Sequence, residues 1–347
     1  MTPQVEVIIP NWNGREMLGH CLASLQRQTL QNFSVTVVDN GSTDGSISYL
    51  ETKFPYVKRI ALGHNTGFSY AVNQGINQAS SPWVLLLNND MEVAPTCFEE
   101  ISKAIERYND YSFFALKMMN YQQRGLIDGA GDAVLRGGVG YRLGTLEKDS
   151  PDYQHDREVF GACGGAALYN RTFFDRVGVF DPDFFAYLED VDLNMRACRL
   201  GMSCMYLASA IVYHIGSATT GSKINALTVR LSTRNNIYVL VKNYSPGILF
   251  RFLPAIIIYQ SAWILLCIKK RVFLPWLKGV MDAAVDLPIF YRKRKTLVTD
   301  EQSLSDMKFA QAVSMWEGEA VQSIMARRSS EGKNNFLLRW YCRLLLN

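Results

Sequence analysis

The chain has 347 residues, 48% of them hydrophobic and 20% charged, with a net charge of +4. That is ordinary globular composition, long enough for one large domain and an appendage, and it excludes disordered, collagen-like and coiled-coil chains. Seven scattered cysteines without a CxxC pair argue against a zinc site or a disulfide framework and fit a reducing compartment.

Val5–Pro10 is a short β-branched run, and it follows an N-terminus with no basic, apolar leader of the kind a signal peptide needs. Met17, Leu18, Cys21, Leu22 and Leu25 recur at helical spacing over Arg15–Thr29. Ser34–Asp39 reads as a second strand, ending in the turn-rich Asn40-Gly-Ser-Thr-Asp-Gly45. A weaker strand over 57–62 and a helix over Phe68–Ala79 lead to Trp83-Val-Leu-Leu-Leu87, an unbroken apolar run expected of a strand buried on both faces. This alternation with short connections predicts βαβ units: an α/β fold with a mostly parallel sheet flanked by helices. Gly125–Asp156 lacks periodicity and reads as loops and short hairpins. Order returns at Val159–Leu168 and at a helix from Glu189, where Leu188, Val191, Met195 and Cys198 should form a buried stripe.

From Ser245 the character changes. Residues 1–244 hold 21 Lys/Arg and 24 Asp/Glu, whereas 245–347 hold 15 and 8. A catalytic domain over 1–244 and a basic, apolar helical region over 245–347 are expected. Residues 252–268 carry no charge but are short for a span of about 20 apolar residues, so peripheral contact with an anionic membrane is expected, with a helical dimer interface as the alternative. Nothing in the tail resembles a glycine-aromatic RNA motif, and nucleic acid is not an expected partner.

Polar residues gather where the predicted strands end, the edge that forms the ligand crevice of an open parallel sheet. Asp39 suits a base N–H or ribose hydroxyl, or else a turn that caps the helix from Ser46. Asn88-Asn89-Asp90 suits a hard divalent cation that also binds phosphate, or an ordinary turn. His214 ends an apolar run and fits either a structural role or a metal ligand. Glu189 and Asp190 follow Phe184, Phe185, Tyr187 and Leu188, so they read as acids beside apolar walls, suited to general-base work. Asp192 and Arg196, spaced i, i+4, are an expected ion pair. Gly216–Lys223 fails as a P-loop because Ser222 stands where lysine belongs. Gly138-Val-Gly140 with Gly144 fails as a dinucleotide fingerprint because its spacing is one residue too long.

Taken together, Val7–Gly14, Val37–Ser46, Asn65-Thr-Gly-Phe68, Leu85–Asp90, Gly161–Ala167 and Glu189–Leu193 with Arg196 resemble the family 2 glycosyltransferases of GT-A fold. Asn65-Thr-Gly-Phe68, Asn88-Asn-Asp90 and Arg234-Asn-Asn-Ile-Tyr238 look most like bacterial rhamnosyltransferases of polysaccharide assembly. The resemblance implies an inverting transfer of sugar, best rhamnose from a dTDP-sugar, to a glycan or polyprenyl-diphosphate-linked acceptor at the cytoplasmic face of the membrane. It implies Pro10, Asn11, Asp39, Asn65 and Gly67 at the donor nucleotide, and Mg²⁺ or Mn²⁺ on Asp90, Asn88 and His214. Asp190 is the implied base, with Glu189 second. Gly164, Gly165, Ala166 and Arg196 are implied at the sugar or acceptor. Asn88 replaces the first aspartate of the family's Asp-x-Asp motif, which makes a further ligand such as His214 more useful. The alternatives are a UDP-hexose or HexNAc transferase and a non-catalytic nucleotide-sugar-binding scaffold. A nucleotidyltransferase would need a basic, glycine-rich loop where Asn11-Trp-Asn-Gly14 stands.

Overall fold

A computed structural model describes residues 4–216, 224–298 and 303–346. Most of the rejected Gly216–Lys223 loop lies outside the described residues. The chain divides into two compact units: 1–132, 144–185 and 203–219 form the first, and 133–143, 186–202 and 220–347 the second.

The first unit is built on one sheet. Strands β1 (Val5–Asn11), β2 (Phe33–Asn40), β3 (Lys58–Leu62), β4 (Trp83–Leu87), β5 (Met91–Val93), β6 (Phe113–Asn120) and β7 (Ile127–Ala130) precede a hairpin, β8 (Asp132–Leu135) and β9 (Val139–Arg142), that is paired separately. Strands β10 (Arg157–Val159), β11 (Ala166–Asn170) and β12 (Cys204–His214) complete the main sheet, ordered β10-β12-β6-β11-β4-β1-β2-β3, with β5 on β12 and β7 on β6. Pairing is parallel through β3-β2-β1-β4 and between β12 and β6, but β11 runs antiparallel to both of its neighbours. The expected parallel sheet thus holds for the N-terminal half, where helices supply the crossovers, and becomes mixed beyond it. Helices α1 (Arg15–Gln26), α2 (Ser46–Lys53), α3 (Phe68–Gln78), α4 (Cys97–Arg107) and α5 (Arg171–Val177) belong to this unit.

All five residues of β4 are buried, as an apolar run in mid-sheet requires. Val7, Ile9, Leu85 and Leu87 share a core with Leu18, Cys21, Leu22 and Leu25 of α1. Alternate residues point the other way: Ile8 meets α3, and a Cβ at Gly75 would fall 2.5 Å from its Cγ2. The middle segment is more structured than its sequence pattern predicts, because β7 joins the main sheet along β6.

The second unit is helical: α6 (Glu189–Arg199), α7 (Ala226–Asn243), α8 (Pro246–Lys269), α9 (Phe273–Val298), α10 (Asp306–Ser330) and α11 (Phe336–Leu345). Asn225 and Thr228 form a capping box at the start of α7. Arg136, in the loop of the β8–β9 hairpin, pairs with buried Glu317 of α10, which also accepts from Tyr341 Oη at 2.8 Å. The stripe expected on α6 is present at Val191, Met195 and Cys198, yet the helix is not amphipathic. Asp192, Asn194, Arg196 and Arg199 are buried as well, so its charges are satisfied internally and do not face water. Helix α8 encloses the uncharged run in a 24-residue helix with Arg251 and Lys269 toward its ends, long and apolar enough to cross a membrane by length and composition.

Candidate active site

The residues singled out in the sequence fall into two sets, one in each unit. In the first unit, the carboxyl ends of β1, β2 and β4 present Asn11, Asp39 and the 88–90 turn. Asn11 Nδ2 donates to Asp39 Oδ1 at 3.1 Å and to Ser42 Oγ at 3.2 Å, while Asn11 Oδ1 accepts from Asn89 Nδ2 at 2.8 Å. Asp39 Oδ2 accepts from the Ser42 N–H at 3.0 Å. Asp39 thus closes its own turn, and the Ser46 N–H at the start of α2 donates instead to Asp44 Oδ1 at 3.1 Å. Gly41 has φ +75°, and a Cβ there would lie 2.5 Å from His64 Cα, so this turn admits only glycine.

The next loop is tied to the first. Asn40 Nδ2 donates to Asn65 Oδ1 and to Gly67 O, each at 3.1 Å, and Asn65 Oδ1 also accepts from Gly67 N at 2.9 Å. Gly67 has φ +85°, and a Cβ there would meet Phe185 O at 2.5 Å. Asn65 and Gly67 therefore fix the shape of the loop that leads from β3 into α3 beside the end of β2. Pro10 precedes Asn11 within β1, opposite Val38.

Asp90 follows the end of β4. Its Oδ2 lies 3.3 Å from His214 Nε2, and His214 Nδ1 lies 2.8 Å from Asp128 Oδ2. Strand pairing explains the meeting: His214 is opposite Met91 on β5 and Asn120 on β6, and Asp128 is on β7, which pairs with β6. Burial alone would lower the His214 pKa, but hydrogen bonds and charge from Asp128 and Asp90 outweigh it and raise it to about 9. Asp90 Oδ1 is buried with no hydrogen-bond partner, an arrangement that is costly unless something positive completes it. Asn88 N donates to Gly165 O at 2.9 Å, and a Cβ at Gly165 would fall 2.9 Å from Asn88 Nδ2. Gly165 thus lets the chain between Gly164 and Ala166, the first residue of β11, pass close to the 88–90 turn. A buried carboxylate oxygen without a donor fits a hard divalent cation, and His214 could join it only by giving up the proton that Asp90 and Asp128 hold on it.

In the second unit, α6 begins directly at the two acids. Tyr187 (φ 72°) and Leu188 (φ 64°) precede them in the left-handed region, as does Phe185 (φ 65°). Non-glycine residues are held there only when their surroundings over-determine them. Asn235 of α7, fully buried, supplies part of that hold: its Nδ2 donates to Ala186 O at 2.8 Å and to Tyr187 O at 2.7 Å. Glu189 is buried with Oε2 unpartnered, whereas Asp190 is half-buried and accepts from Val191 N at 2.8 Å. Burial first, and the Asp190 charge second, push the Glu189 pKa up to about 8.

Arg196 is buried, its Nε donating to Asp192 Oδ2 at 3.0 Å, the pair expected from their spacing. Asp192 also accepts from Lys242 Nζ at 2.8 Å and Asn243 Nδ2 at 3.0 Å. Asp128, Lys242 and Asn243 carried no signal in the sequence pattern beyond their residue types, and Asn235 stood out only as part of Arg234-Asn-Asn-Ile-Tyr238, with no role attached.

A model of the family described as glycosyl transferase family 2 matches residues 6–178. The chain is 30% identical over 244 residues to an N-acetylglucosaminyl-diphospho-decaprenol L-rhamnosyltransferase of Mycobacterium tuberculosis, covering 64% of this chain and 79% of that protein. It is 24% identical over 250 residues to the uncharacterized glycosyltransferase YwdF of Bacillus subtilis, covering 70% and 88%. Among solved structures, GalNAc-T7 with UDP, GalNAc and Mn²⁺ superposes with a TM-score of 0.55 at 16% identity, over 69% of this chain and 47% of that one. That likeness shows the GT-A fold. The helices of the second unit lie beyond the family model, but the rhamnosyltransferase is matched across most of its length, and the chain belongs to glycosyl transferase family 2 as a glycosyltransferase.

Proposed function

We propose that the enzyme transfers a sugar, rhamnose from a dTDP-sugar in the first instance, to a polyprenyl-diphosphate-linked glycan in bacterial surface polysaccharide assembly. The observation that carries this is the similarity to an N-acetylglucosaminyl-diphospho-decaprenol L-rhamnosyltransferase, together with a division of labour in the residues that suits it. Asn11 and Asp39 take the nucleoside, with Pro10, Asn65 and Gly67 shaping the loops around it. Asp90, Asn88 and His214 hold Mg²⁺ or Mn²⁺, and the Mn²⁺-bound GalNAc-T7 has the same fold. When bound, the cation supplies positive charge against the donor diphosphate. Gly164, Gly165 and Ala166 leave room for the sugar.

The reaction is a single displacement. The acceptor hydroxyl oxygen bonds to the anomeric carbon as the bond from that carbon to the diphosphate oxygen breaks. The nucleoside diphosphate leaves with the bonding pair, and the hydroxyl proton passes to the Asp190 carboxylate, inverting the anomeric configuration. Asp190 is favoured as base because it is the more accessible acid, and the raised pKa of Glu189 keeps Glu189 itself largely protonated at neutral pH. Glu189 is the second reading, because a pKa of about 8 lies near the working range of a base. The two are separable: Asp190→Asn should cost about 10²–10⁴-fold in kcat with donor KM held, and Glu189→Gln much less. The reverse order would transfer the role to Glu189.

The enzyme would work at the cytoplasmic face of the membrane, with peripheral contact through 245–347. The test of the whole is transfer from a panel of nucleotide sugars to a water-soluble diphosphate-linked acceptor analogue, with and without Mn²⁺. Activity with dTDP-rhamnose supports the proposal, and exclusive use of a UDP-hexose would replace it. Binding without turnover on any acceptor would leave the scaffold reading.

A further inference from the structure

The two helices after α7 pack on it by one face only. Helix α8 runs antiparallel to α7: Gln260 Nε2 donates to Asn236 Oδ1 at 2.6 Å, Trp263 Nε1 to Thr233 Oγ1 at 2.8 Å, and Phe252 packs edge-on against Tyr244. Helix α9 runs parallel to α7: Gly279 abuts Arg230, Tyr238 stacks on Phe290 at 3.8 Å, and Arg294 donates to Tyr244 O at 3.1 Å. Away from α7, α8 exposes Phe250 (81%), Ile257 (55%) and Leu265 (67%), and α9 exposes Leu274 (69%), Met281 (60%) and Val285 (77%). On each helix these residues recur at turn spacing, so each carries one apolar stripe. The α8 stripe, from Phe250 to Ile268, is about 27 Å long at 1.5 Å per residue.

Charge brackets the stripes. Residues 246–298 hold nine Lys/Arg and only two acids, Asp282 and Asp286. Both acids are turned to α7, Asp282 pairing with Arg230 and Asp286 accepting from the Tyr238 hydroxyl. Exposed Lys269, Lys270 and Arg271 lie at the turn between the helices, while Arg251, Arg292 and Lys295 are exposed at the opposite end.

We infer that this α8–α9 face lies in the plane of an anionic phospholipid leaflet, its stripes in the acyl boundary and its basic ends on the headgroups. The inference rests on the peripheral contact proposed above and gives that contact its face, its lipid chemistry and its mode. A spanning helix would meet lipid on all sides, but α8 buries Phe252, Ala255 and Cys267 against its own unit. A basic amphipathic layer with one apolar side is an interfacial element, and the absence of any acid from the exposed side fits an anionic partner better than a second copy carrying the same positive charge.

Flotation of the full-length protein tests this with vesicles of phosphatidylcholine alone and with phosphatidylglycerol added. The protein floats with the anionic vesicles, weakly with the neutral ones, and less as salt rises. The triple change K269E/K270E/R271E lowers partitioning on the order of 100-fold, taking about fivefold for each lost base. Leu265→Glu with Val285→Glu abolishes flotation. Both variants keep turnover on the water-soluble acceptor, which separates this face from the transfer reaction. Equal flotation of all three proteins overturns the inference. So does a wild-type dimer that Leu265→Glu/Val285→Glu converts to monomer with flotation unchanged, for then a second copy covers the face.

Discussion

Replacing Asn235 by alanine removes its two hydrogen bonds to the 186–187 backbone, along with the bond its Oδ1 accepts from Arg234 Nε at 2.9 Å. Each bond, to Ala186 O and Tyr187 O, is worth about 1 kcal/mol net, so about 2 kcal/mol of hold is lost. Against it stand Tyr187 and Leu188 in the left-handed region, each storing about 1–2 kcal/mol. Strain and lost hold are of equal size, so the segment should relax toward ordinary backbone and carry Glu189 and Asp190 out of place. A displacement of about 1 Å at reacting groups costs on the order of 100-fold in rate. Asn235→Ala is therefore expected to lower kcat about 10- to 100-fold while the donor KM changes less than threefold, with about 2 kcal/mol lost from global stability. Steady-state kinetics on the soluble acceptor and urea unfolding measure both. If stability falls by that amount and kcat is unchanged, the strained entry does not set the position of the acids.

Further expectations concern the charges. The folded pKa of Glu189 is about 8 against 4.5 for the free group, so the folded chain holds the extra proton between those values, and its stability falls as pH rises through that window, by up to about 1.4 kcal/mol per pH unit. Glu189→Gln should flatten that fall between pH 5 and 8 in thermal or urea melts, and an unchanged slope would show that Glu189 is not the group responsible. Burial opposes ionisation of Asp192, but Lys242 and Arg196 hold its pKa down to about 2, from 3.8. Its contribution to stability is complete above 3.8 and is lost as pH falls through 2. Lys242→Met should cost about 3 kcal/mol at pH 7 and less at pH 2; an equal loss at both would mean packing rather than charge. The wild type is expected to show a Mn²⁺-dependent thermal shift with donor that Asp90→Ala abolishes, and a shift that persists in full in the variant would remove Asp90 from the metal set.

Much of the first unit was legible because its strands are the apolar kind. Trp83–Leu87 is an unbroken run and Val5–Pro10 is interrupted only by Glu6, and the Asn/Gly/Asp residues that follow such strands mark their carboxyl ends. The left-handed Gly41 and Gly67 are likewise visible as turn residues. Asp128 was not legible: it lies in a four-residue strand with no alternation, inside a stretch whose composition reads as loop. The pairing of Asp192 with Arg196 follows from helix geometry, but Lys242 and Asn243 come from about fifty residues further on, where no local rule reaches. The same distance hides Asn235 from the loop it holds. Periodicity predicts only the apolar stripe of α6, and the burial of Asp192, Asn194, Arg196 and Arg199 depends on partners that periodicity cannot name.

That burial has an evolutionary consequence. Asp192 shares its two oxygens among three donors on two helices, so none of the four residues can drift alone without stranding a charge or a polar group in the interior. Substitutions here should show strong epistasis: Asp192 and Lys242 replaced together by apolar residues should be tolerated better than either change singly. In a directed-evolution library the quartet would move as a block or stay fixed, and changes in acceptor preference would have to arise elsewhere.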